Sequence, residues 1–211
     1  MNEIENYLIP TYTIDCDSES IKQKAQDVIK DQGEVMERAK SLFYFVRDEI
    51  KYNMYSPLSE IEDFKASKIL QEKNGNCIQK AIVLTTMARA VGIPARLGFA
   101  DFRNHRITSE VLEKVGTDLF IYHGYSELFI EGKWVKATPA LDREVCTEQR
   151  FVTVEFDGKH DAKFPSHDLD GKRHVEYVKQ HGHYEDVPFD EMHASWAQVY
   201  GPDFKTSHGN Q

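Results

Sequence analysis

One stretch of the sequence decides the fold: residues 76–94, which read NCIQKAIVLTTMARAVGIP. Apolar side chains go most of the way round the helix that this stretch predicts, so we expect a helix buried on nearly every side. Asn76 is a favourable N-cap residue, and Gly92 followed by Pro94 predicts the end of the helix. Cys77 then lies in the first turn of a rigid, buried helix.

Helix patterns precede this stretch, and strand patterns follow it. Upstream, apolar residues recur at helical spacing in three segments, namely a helix that begins near Ser18, one over residues 34–50 and one over residues 65–73. Downstream, runs rich in β-branched and aromatic residues predict strands, at residues 95–100, 119–130, 133–137 and 151–156. The pair Glu131-Gly132 predicts a tight hairpin turn. Helices followed by an antiparallel sheet predict an α+β fold.

The length of 211 residues predicts one domain. Within it we distinguish a core, residues 1–156, from a polar, His-rich C-terminal extension, residues 157–211, which we expect to belong to the same domain. Short helices are predicted in the extension near residues 175–179 and 191–199. The extension is a candidate lid over a cleft in the core.

Composition and charge narrow the classes of partner. The net charge of −9 disfavours a nucleic-acid or anionic membrane surface, since either would need clustered Lys and Arg. No uninterrupted apolar run approaches the roughly 18 residues of a membrane span, and the acidic first segment differs from a secretory signal. Three cysteines, Cys16, Cys77 and Cys146, fit a reducing compartment better than a disulfide framework. We therefore expect a cytoplasmic protein without a nucleic-acid or membrane partner, and the sequence does not fix its oligomeric state.

Cys77 is the strongest candidate for chemistry. A thiol in the first turn of a helix lies among unpaired backbone N–H groups at the positive end of the helix dipole. Both effects favour the thiolate, which is the form that acts as a nucleophile. The alternative is structural, because cysteine is among the most buried residue types and often fills a small apolar space.

His123 is the candidate proton partner of that thiol. It lies in the strand pattern directly ahead of the hairpin. A two-residue hairpin loop places His123 opposite Ala140, with Thr138 and Asp142 as diagonal neighbours on the same face. Pro139 is able to end the strand pairing before Asp142 is reached.

These elements together resemble the transglutaminase-like superfamily. The similarity lies in four ordered segments, which are Asn74-Gly75-Asn76-Cys77, residues 90–96 (AVGIPAR), His123 in a strand that ends in Leu128-Phe129, and Trp134-Val135 after the hairpin. Residues 45–52 also resemble bacterial members, and the similarity covers residues 7–142. The resemblance implies a papain-like core with Cys on the helix and with His and Asp on adjacent strands. It also implies acyl transfer or amide hydrolysis.

The chain departs from the family at the third residue of the triad. The family strand after the His ends in Asp-Pro, whereas this strand ends in Thr138-Pro139. A threonine hydroxyl can orient an imidazole by accepting a hydrogen bond, but it supplies no charge to stabilise an imidazolium. Three readings stay open: Asp142 supplies the carboxylate, Thr138 acts alone, or the activity is weak or absent. We name Asp142 as the expected carboxylate and Thr138 as the orienting alternative.

The expected function is cysteine-dependent acyl transfer or hydrolysis of an amide or peptide through an acyl-enzyme. Cys77 attacks the carbonyl carbon, and His123 protonates the leaving amine. Backbone N–H groups at the helix start, at Asn76 and Cys77, hold the oxyanion. A protease or amidase is expected rather than a crosslinking enzyme, with a peptide or amide-containing substrate and with neither cofactor nor metal.

Two other functions stay open. In the first, the fold is kept and catalysis is lost, so that the module binds a peptide or glycan and releases it unchanged. In the second, histidines of the C-terminal extension bind a metal, above all His181 and His183. Pro165 and Gly171 interrupt any continuous helix there, so the histidines would not share one helix face. The expected reading of the extension is therefore a solvated polar segment.

Overall fold

The computed structural model describes residues 3–202 and residue 204. Its helices are α1 (Glu19–Val28), α2 (Val35–Glu49), α3 (Ala66–Glu72), α4 (Cys77–Ala90), α5 (Ser109–Val115), α6 (Arg143–Gln149) and α7 (Phe189–Tyr200), with short 3-10 helices at Glu3–Leu8 and Ile61–Phe64. Its strands are β1 (Lys51–Tyr52), β2 (Asn74–Gly75), β3 (Ala95–Asn104), β4 (Leu119–Ile130), β5 (Lys133–Ala137) and β6 (Val175–Tyr184). The fold is α+β, as the sequence predicts.

Helix α4 is the central element of the core. Its side chains from Ile78 to Arg89 are all buried, because α1, α2, α3, β3 and β4 all pack against it. The Asn76 side-chain oxygen accepts hydrogen bonds from the N–H groups of Ile78 and Gln79, and the Gln79 side chain accepts one from the Asn76 N–H. This capping box confirms the predicted start of the helix.

Strands β3 to β6 form an antiparallel sheet in the order β5-β4-β3-β6. The hairpin has the predicted register, with Ser126 opposite Ala137 and Ile130 opposite Lys133. Pairing ends at Ala137, two residues before Pro139, and the Thr138 N–H donates instead to the carbonyl of Ala162 at 3.0 Å. The part of β4 that carries His123 therefore lies beyond the end of β5.

A bulge shapes β4 just before His123. The pairing of β3 with β4 shifts between Ala100 and Phe102, so that two residues of β4 lie opposite the single residue Asp101. One of them, Tyr122, has a φ of 56°, in the left-handed region that bulky residues rarely adopt. Its N–H donates to Asp101 Oδ1 at 3.0 Å. Bulges of this kind redirect side chains and are common beside functional sites.

Two predicted elements are wrong. Residues 151–156 form no strand, because the Arg47 and Tyr44 side chains of α2 donate hydrogen bonds to carbonyl groups that a neighbouring strand would otherwise use. Residues 175–179 form no helix and belong instead to β6, the edge strand that pairs with β3. Helix α5, between β3 and β4, has no counterpart in the sequence prediction.

The predicted C-terminal extension contributes both surface and core. Strand β6 extends the sheet, and α7 confirms the helix predicted at residues 191–199 and buries Met192 and Trp196. Residue 203 and residues 205–211 of this extension lie outside the described residues, and its role as a lid stays a prediction. None of the helices in residues 3–202 combines the length and apolar content that a membrane crossing requires.

Candidate active site

The predicted nucleophile and its predicted proton partner both line a cavity of about 330 Å³. Cys77 enters the cavity from the first turn of α4, and His123 enters it from β4 just after the bulge. The other wall side chains are mostly apolar or aromatic. A concave, largely apolar pocket with a few converging polar groups is the usual form of a small-molecule or substrate site.

The Cys77 thiol lies between opposing electrostatic effects. Burial raises its pKa, and the backbone N–H of Gly124, which hydrogen-bonds the sulfur, lowers it. Burial has the larger effect, so the pKa of Cys77 is raised overall. The N–H groups at the helix start, those of Cys77 and Ile78, also lower the pKa, as expected, but burial outweighs them and the resting site holds a neutral thiol at pH 7.

Gly124 allows β4 to approach the start of α4 closely. A Cβ atom at this position would lie only 2.8 Å from the Cα of Ile78, a distance at which the backbone would have to shift. The absent side chain therefore brings the Gly124 N–H to the Cys77 sulfur and His123 to the same cavity. The sequence analysis missed Gly124, although a glycine inside a strand of bulky residues is a recognised sign of close backbone approach.

The His123 ring is enclosed by aromatic side chains. It is 2% exposed, and its centroid lies 4.9 Å from that of Phe164, 5.2 Å from that of Phe102 and 6.4 Å from that of Tyr177. Burial lowers the pKa of His123 to about 3. Its Nε2 is buried and makes no hydrogen bond within the described part of the chain. At pH 7 the site therefore holds a neutral imidazole, the form that accepts a proton.

Asp142 does not orient His123, and this prediction is wrong. Its Oδ1 accepts the N–H of Val145 at 3.0 Å as the N-cap of α6, and its Oδ2 accepts the N–H of Tyr52 at 2.8 Å. Burial raises the pKa of Asp142, and these two N–H groups lower it. The pKa is lowered overall. The chain turns away after Pro139, so Asp142 never enters the strand pairing that would have placed it near His123.

Thr138 is buried in the neighbourhood of His123. Its hydroxyl has no hydrogen bond of normal geometry among the described residues, and the Tyr177 hydroxyl lies beside it. The Tyr177 hydroxyl accepts the N–H of Phe164 at 3.3 Å, and its ring contacts His123. Tyr177 therefore links the Thr138 hydroxyl to the surroundings of the His123 imidazole.

Asn76 has a structural role, and the predicted oxyanion contact at its N–H is wrong. Both its N–H and its side-chain oxygen are engaged in the capping box of α4. The N–H of Cys77 is the first of the helix and has no intrahelical acceptor, as for the first N–H groups of any α-helix. It remains the backbone donor that can hold a developing oxyanion.

Tyr52 is a cavity residue that the sequence analysis did not single out as functional. The short parallel pairing of β1 with β2 puts it opposite Gly75, two residues before Cys77, and it lines the cavity. Burial raises its pKa, and the nearby Cys77 adds to this shift, so its hydroxyl stays protonated and able to donate. The N–H of Tyr52 is held by Asp142, which gives that carboxylate a different role from the predicted one.

The histidines of the predicted metal site are dispersed. His181 Nε2 lies 2.6 Å from Asp101 Oδ1, and the His183 ring packs against Tyr7. In the part of the chain that the structure describes, no group of three or more His, Cys, Asp or Glu residues is arranged to hold a metal ion. A shared site at His181 and His183 is thus not formed.

Comparison with solved structures bears on the fold of this chain. A proposed cysteine protease of Cytophaga hutchinsonii has a similar fold, with a TM-score of 0.53 and 16% identity over 94% of this chain and 50% of that one. A proposed protease of Parabacteroides distasonis is similar over 64% of this chain and 25% of that one, with a TM-score of 0.41 and 16% identity. The chain thus spans half the length of the first of these proteins. Among curated proteins, none matches the sequence significantly.

A family model gives the more direct assignment. The model described as "Transglutaminase-like superfamily" matches residues 22–139. This range holds Cys77, His123 and the hairpin, and it covers more than half of the sequence. The chain therefore belongs to the transglutaminase-like superfamily.

Proposed function

We propose that this protein is a cysteine hydrolase or acyltransferase that cleaves an amide or peptide bond through an acyl-enzyme at Cys77. The observation that carries the proposal is the shared cavity, which is lined both by Cys77, the first residue of α4, and by His123. The Gly124 N–H bonded to the sulfur and the uncharged imidazole complete the arrangement. Hydrolysis is favoured over crosslinking because the solved protein with the similar fold is a proposed cysteine protease.

The proton moves during the attack in this scheme, because the resting thiol and imidazole are both neutral. As the Cys77 sulfur forms its bond to the carbonyl carbon, the thiol proton passes to His123. The imidazolium then gives that proton to the leaving nitrogen as the C–N bond breaks. Water, or an acceptor amine, next attacks the thioester and gives a proton to His123, which returns it to the sulfur as the product leaves.

In this scheme two donors hold the oxyanion that forms in each step. The Cys77 N–H has no acceptor within the helix, and the Tyr52 hydroxyl lines the same cavity and stays protonated. Donors fixed before the reaction stabilise a developing charge without reorganisation. Asp142 contributes indirectly, since its bond to the Tyr52 N–H fixes the backbone of that residue.

The second candidate is a binding module that keeps the fold without the catalysis. It is favoured by the raised pKa of the buried Cys77 thiol and by the uncharged Thr138 at the family's Asp position. Such a module would bind a peptide or glycan in the cavity and release it unchanged.

Alkylation of the three cysteines separates these two candidates. We expect iodoacetamide to label Cys77 in the native protein, measured by peptide mass spectrometry over pH 5 to 9, at a rate that falls at least about tenfold in His123→Ala. The buried Cys16 and Cys146 are internal controls. Hydrolysis of a fluorogenic peptide mixture should fall by more than about 10³-fold in Cys77→Ala. Equal labelling with and without His123, together with no hydrolysis, would favour the binding module.

A further inference from the structure

The geometry of attack decides what the cavity must hold. When the Cys77 sulfur approaches a carbonyl carbon, the group attached to that carbon lies within a few ångströms of the thiol. The same cavity is lined by apolar and aromatic side chains from three separate parts of the chain, namely Met54 and Leu58 after β1, Val111 and Val115 of α5, and Trp196 and Tyr200 of α7. The acyl side of the substrate therefore meets apolar and aromatic surface from several directions.

Three polar side chains of the lining, those of Asn104, Arg106 and Thr108, are already engaged by the protein. Arg106 forms an ion pair with Asp168, at 2.8 Å between Nε and Oδ2, and the Asp168 side chain is fully buried. The Asn104 side-chain oxygen accepts the N–H of Arg106 at 2.9 Å, and the Thr108 hydroxyl accepts the N–H of Val111 at 3.3 Å. A charged or many-hydroxylated acyl group would lose its hydration here without gaining partners.

The volume of the cavity suits one large side chain with part of its backbone. The cavity measures about 330 Å³, whereas a cavity of roughly 150 Å³ is enough to hold a benzene ring. An aromatic side chain therefore fits with room for the adjoining amide atoms. A small acyl group would leave much of the apolar wall exposed to water.

Besides His123, a second histidine on the wall has a ring nitrogen without a hydrogen bond in the described part of the chain. His174 is 3% exposed and lines the cavity, its ring stacks on Phe151 at 3.9 Å, and its Nδ1 makes no hydrogen bond among the described residues. A buried polar atom without a partner is costly. The N–H or C=O of a peptide group would satisfy it, whereas a hydrocarbon chain would not.

We propose that the residue supplying the acyl group is an aromatic residue of a peptide, held in this cavity with a peptide group against His174. The proposal rests on the proposed function, because it takes Cys77 as the attacking group. It combines the apolar wall, the engaged polar side chains, the volume and the His174 Nδ1, which makes no hydrogen bond among the described residues.

Reactive probes test the substrate class without requiring turnover. N-acetyl-phenylalanyl chloromethyl ketone and its glutaminyl and glutamyl counterparts alkylate a thiol as the S–C bond forms and chloride leaves. A decyl chloromethyl ketone without amide groups tests the hydrocarbon alternative. We expect the phenylalanyl probe to label Cys77 at least about tenfold faster than each of the other three, read by peptide mass spectrometry.

A matched pair of variants on α5 tests the cavity itself. Val111 lines the cavity, whereas its neighbour Leu112 is 41% exposed and lies outside the wall. Val111→Trp should fill the space and slow the phenylalanyl probe about tenfold more than it slows iodoacetamide. Leu112→Trp should change neither rate.

The outcomes separate this inference from the proposed function. Equal rates for the phenylalanyl and glutaminyl probes, or a faster decyl probe, would overturn the aromatic peptide class while His123-dependent labelling by iodoacetamide kept the catalytic proposal. An equal slowing by Val111→Trp and Leu112→Trp would overturn the assignment of the cavity as the acyl site. Failure of iodoacetamide to label native Cys77 would overturn the proposed function and this inference together.

Discussion

Two histidines lie beside the same bulge of β4, and only one of them contacts a carboxylate. The Nε2 of His181 lies 2.6 Å from Asp101 Oδ1, and its ring stacks on Tyr122 at 4.1 Å. His123, the next residue after Tyr122, is enclosed by Phe102 and Phe164 and has no partner for its Nε2 in the described residues.

The groups of a Cys-His-Asp triad are thus split between two histidines. The thiol shares a cavity with His123, whereas the carboxylate contacts His181. The cavity wall contains His123 and the thiol, but neither His181 nor Asp101. Asp101 Oδ1 instead bonds both His181 and the Tyr122 N–H, so this pair braces the bulge that presents His123. The carboxylate therefore acts on the backbone before His123, and burial keeps His123 neutral.

Removal of each histidine in turn is expected to give the largest contrast. His123→Ala should lower kcat/KM on a cleaved peptide by about 10² to 10⁴-fold, because it removes the acid–base group. His181→Ala should keep kcat/KM within about tenfold but lower the free energy of unfolding by about 1–3 kcal/mol, because Asp101 loses a buried partner. Urea unfolding and peptide kinetics on both variants check this contrast. A fully stable His181→Ala with the larger activity loss would place that pair in the reaction.

Acid should unfold the protein through its neutral histidines. The pKa values of about 3 for His123 and about 4 for His174 lie below the ordinary value near 6.5. Below pH 6.5 the unfolded chain takes up protons that the folded chain does not, so stability is present above that pH and is lost as pH falls toward the folded values. Between pH 7 and pH 5 each of the two histidines should cost about 2 kcal/mol.

Urea unfolding at pH 7, 6 and 5 measures this loss. In His123→Leu the difference between pH 7 and pH 5 should shrink by about 2 kcal/mol. His160→Leu serves as the control, since the His160 side chain is 85% exposed. Identical pH dependence in the two variants would show that His123 is protonated while the protein is folded.

Asp142 gives a smaller effect of a different kind. Asp142→Ala removes the N-cap of α6 and the acceptor of the Tyr52 N–H, so the free energy of unfolding should fall by about 1–2 kcal/mol. Because neither contact involves His123, the shape of the pH–activity profile should stay as in the unmodified protein. A shift of the acidic limb of the pH–activity profile in Asp142→Ala would instead assign Asp142 the role of the triad carboxylate.

Local sequence signals were sufficient for the elements that carry the nucleophile and its partner. The apolar pattern and the Asn76 cap predicted α4, and the Glu131-Gly132 turn predicted the register of the hairpin. They place Cys77 at a helix start and His123 on β4, because these positions depend on contacts within a few residues.

Features that depend on distant contacts were not predictable in this way. The path after Pro139 follows the bond between Thr138 and Ala162, and β6 forms because β3 offers a free edge to a segment with a polar sequence. The resting protonation states also escaped prediction, since the pKa of Cys77 depends on burial more than on the helix start. The assignment of Asp142 as the triad carboxylate failed because the path of the chain after Pro139 depends on such a distant contact.

The smallest effect is expected from supplying the carboxylate that His123 lacks. Thr138→Asp places a charge at the family's Asp position, beside the Tyr177 hydroxyl that shares the surroundings of the imidazole. An opposite charge raises the pKa of a histidine and stabilises the imidazolium formed during attack. We expect kcat/KM at pH 8 to rise by up to about tenfold and the acidic limb of the pH–rate profile to move to higher pH.

Thr138→Asp is also expected to lower stability, and a control must distinguish this effect from the effect on the rate. Thr138 is 1% exposed, so the new carboxylate lowers stability unless the imidazolium or Tyr177 pairs with it. Thr138→Asn has nearly the same shape without the charge and should leave both the rate and the acidic limb unchanged. An equal rise in both variants would assign the effect to hydrogen bonding or shape. A folded Thr138→Asp with an unmoved acidic limb would instead mean that position 138 does not act on His123, and that the neutral pair works without any charged third residue.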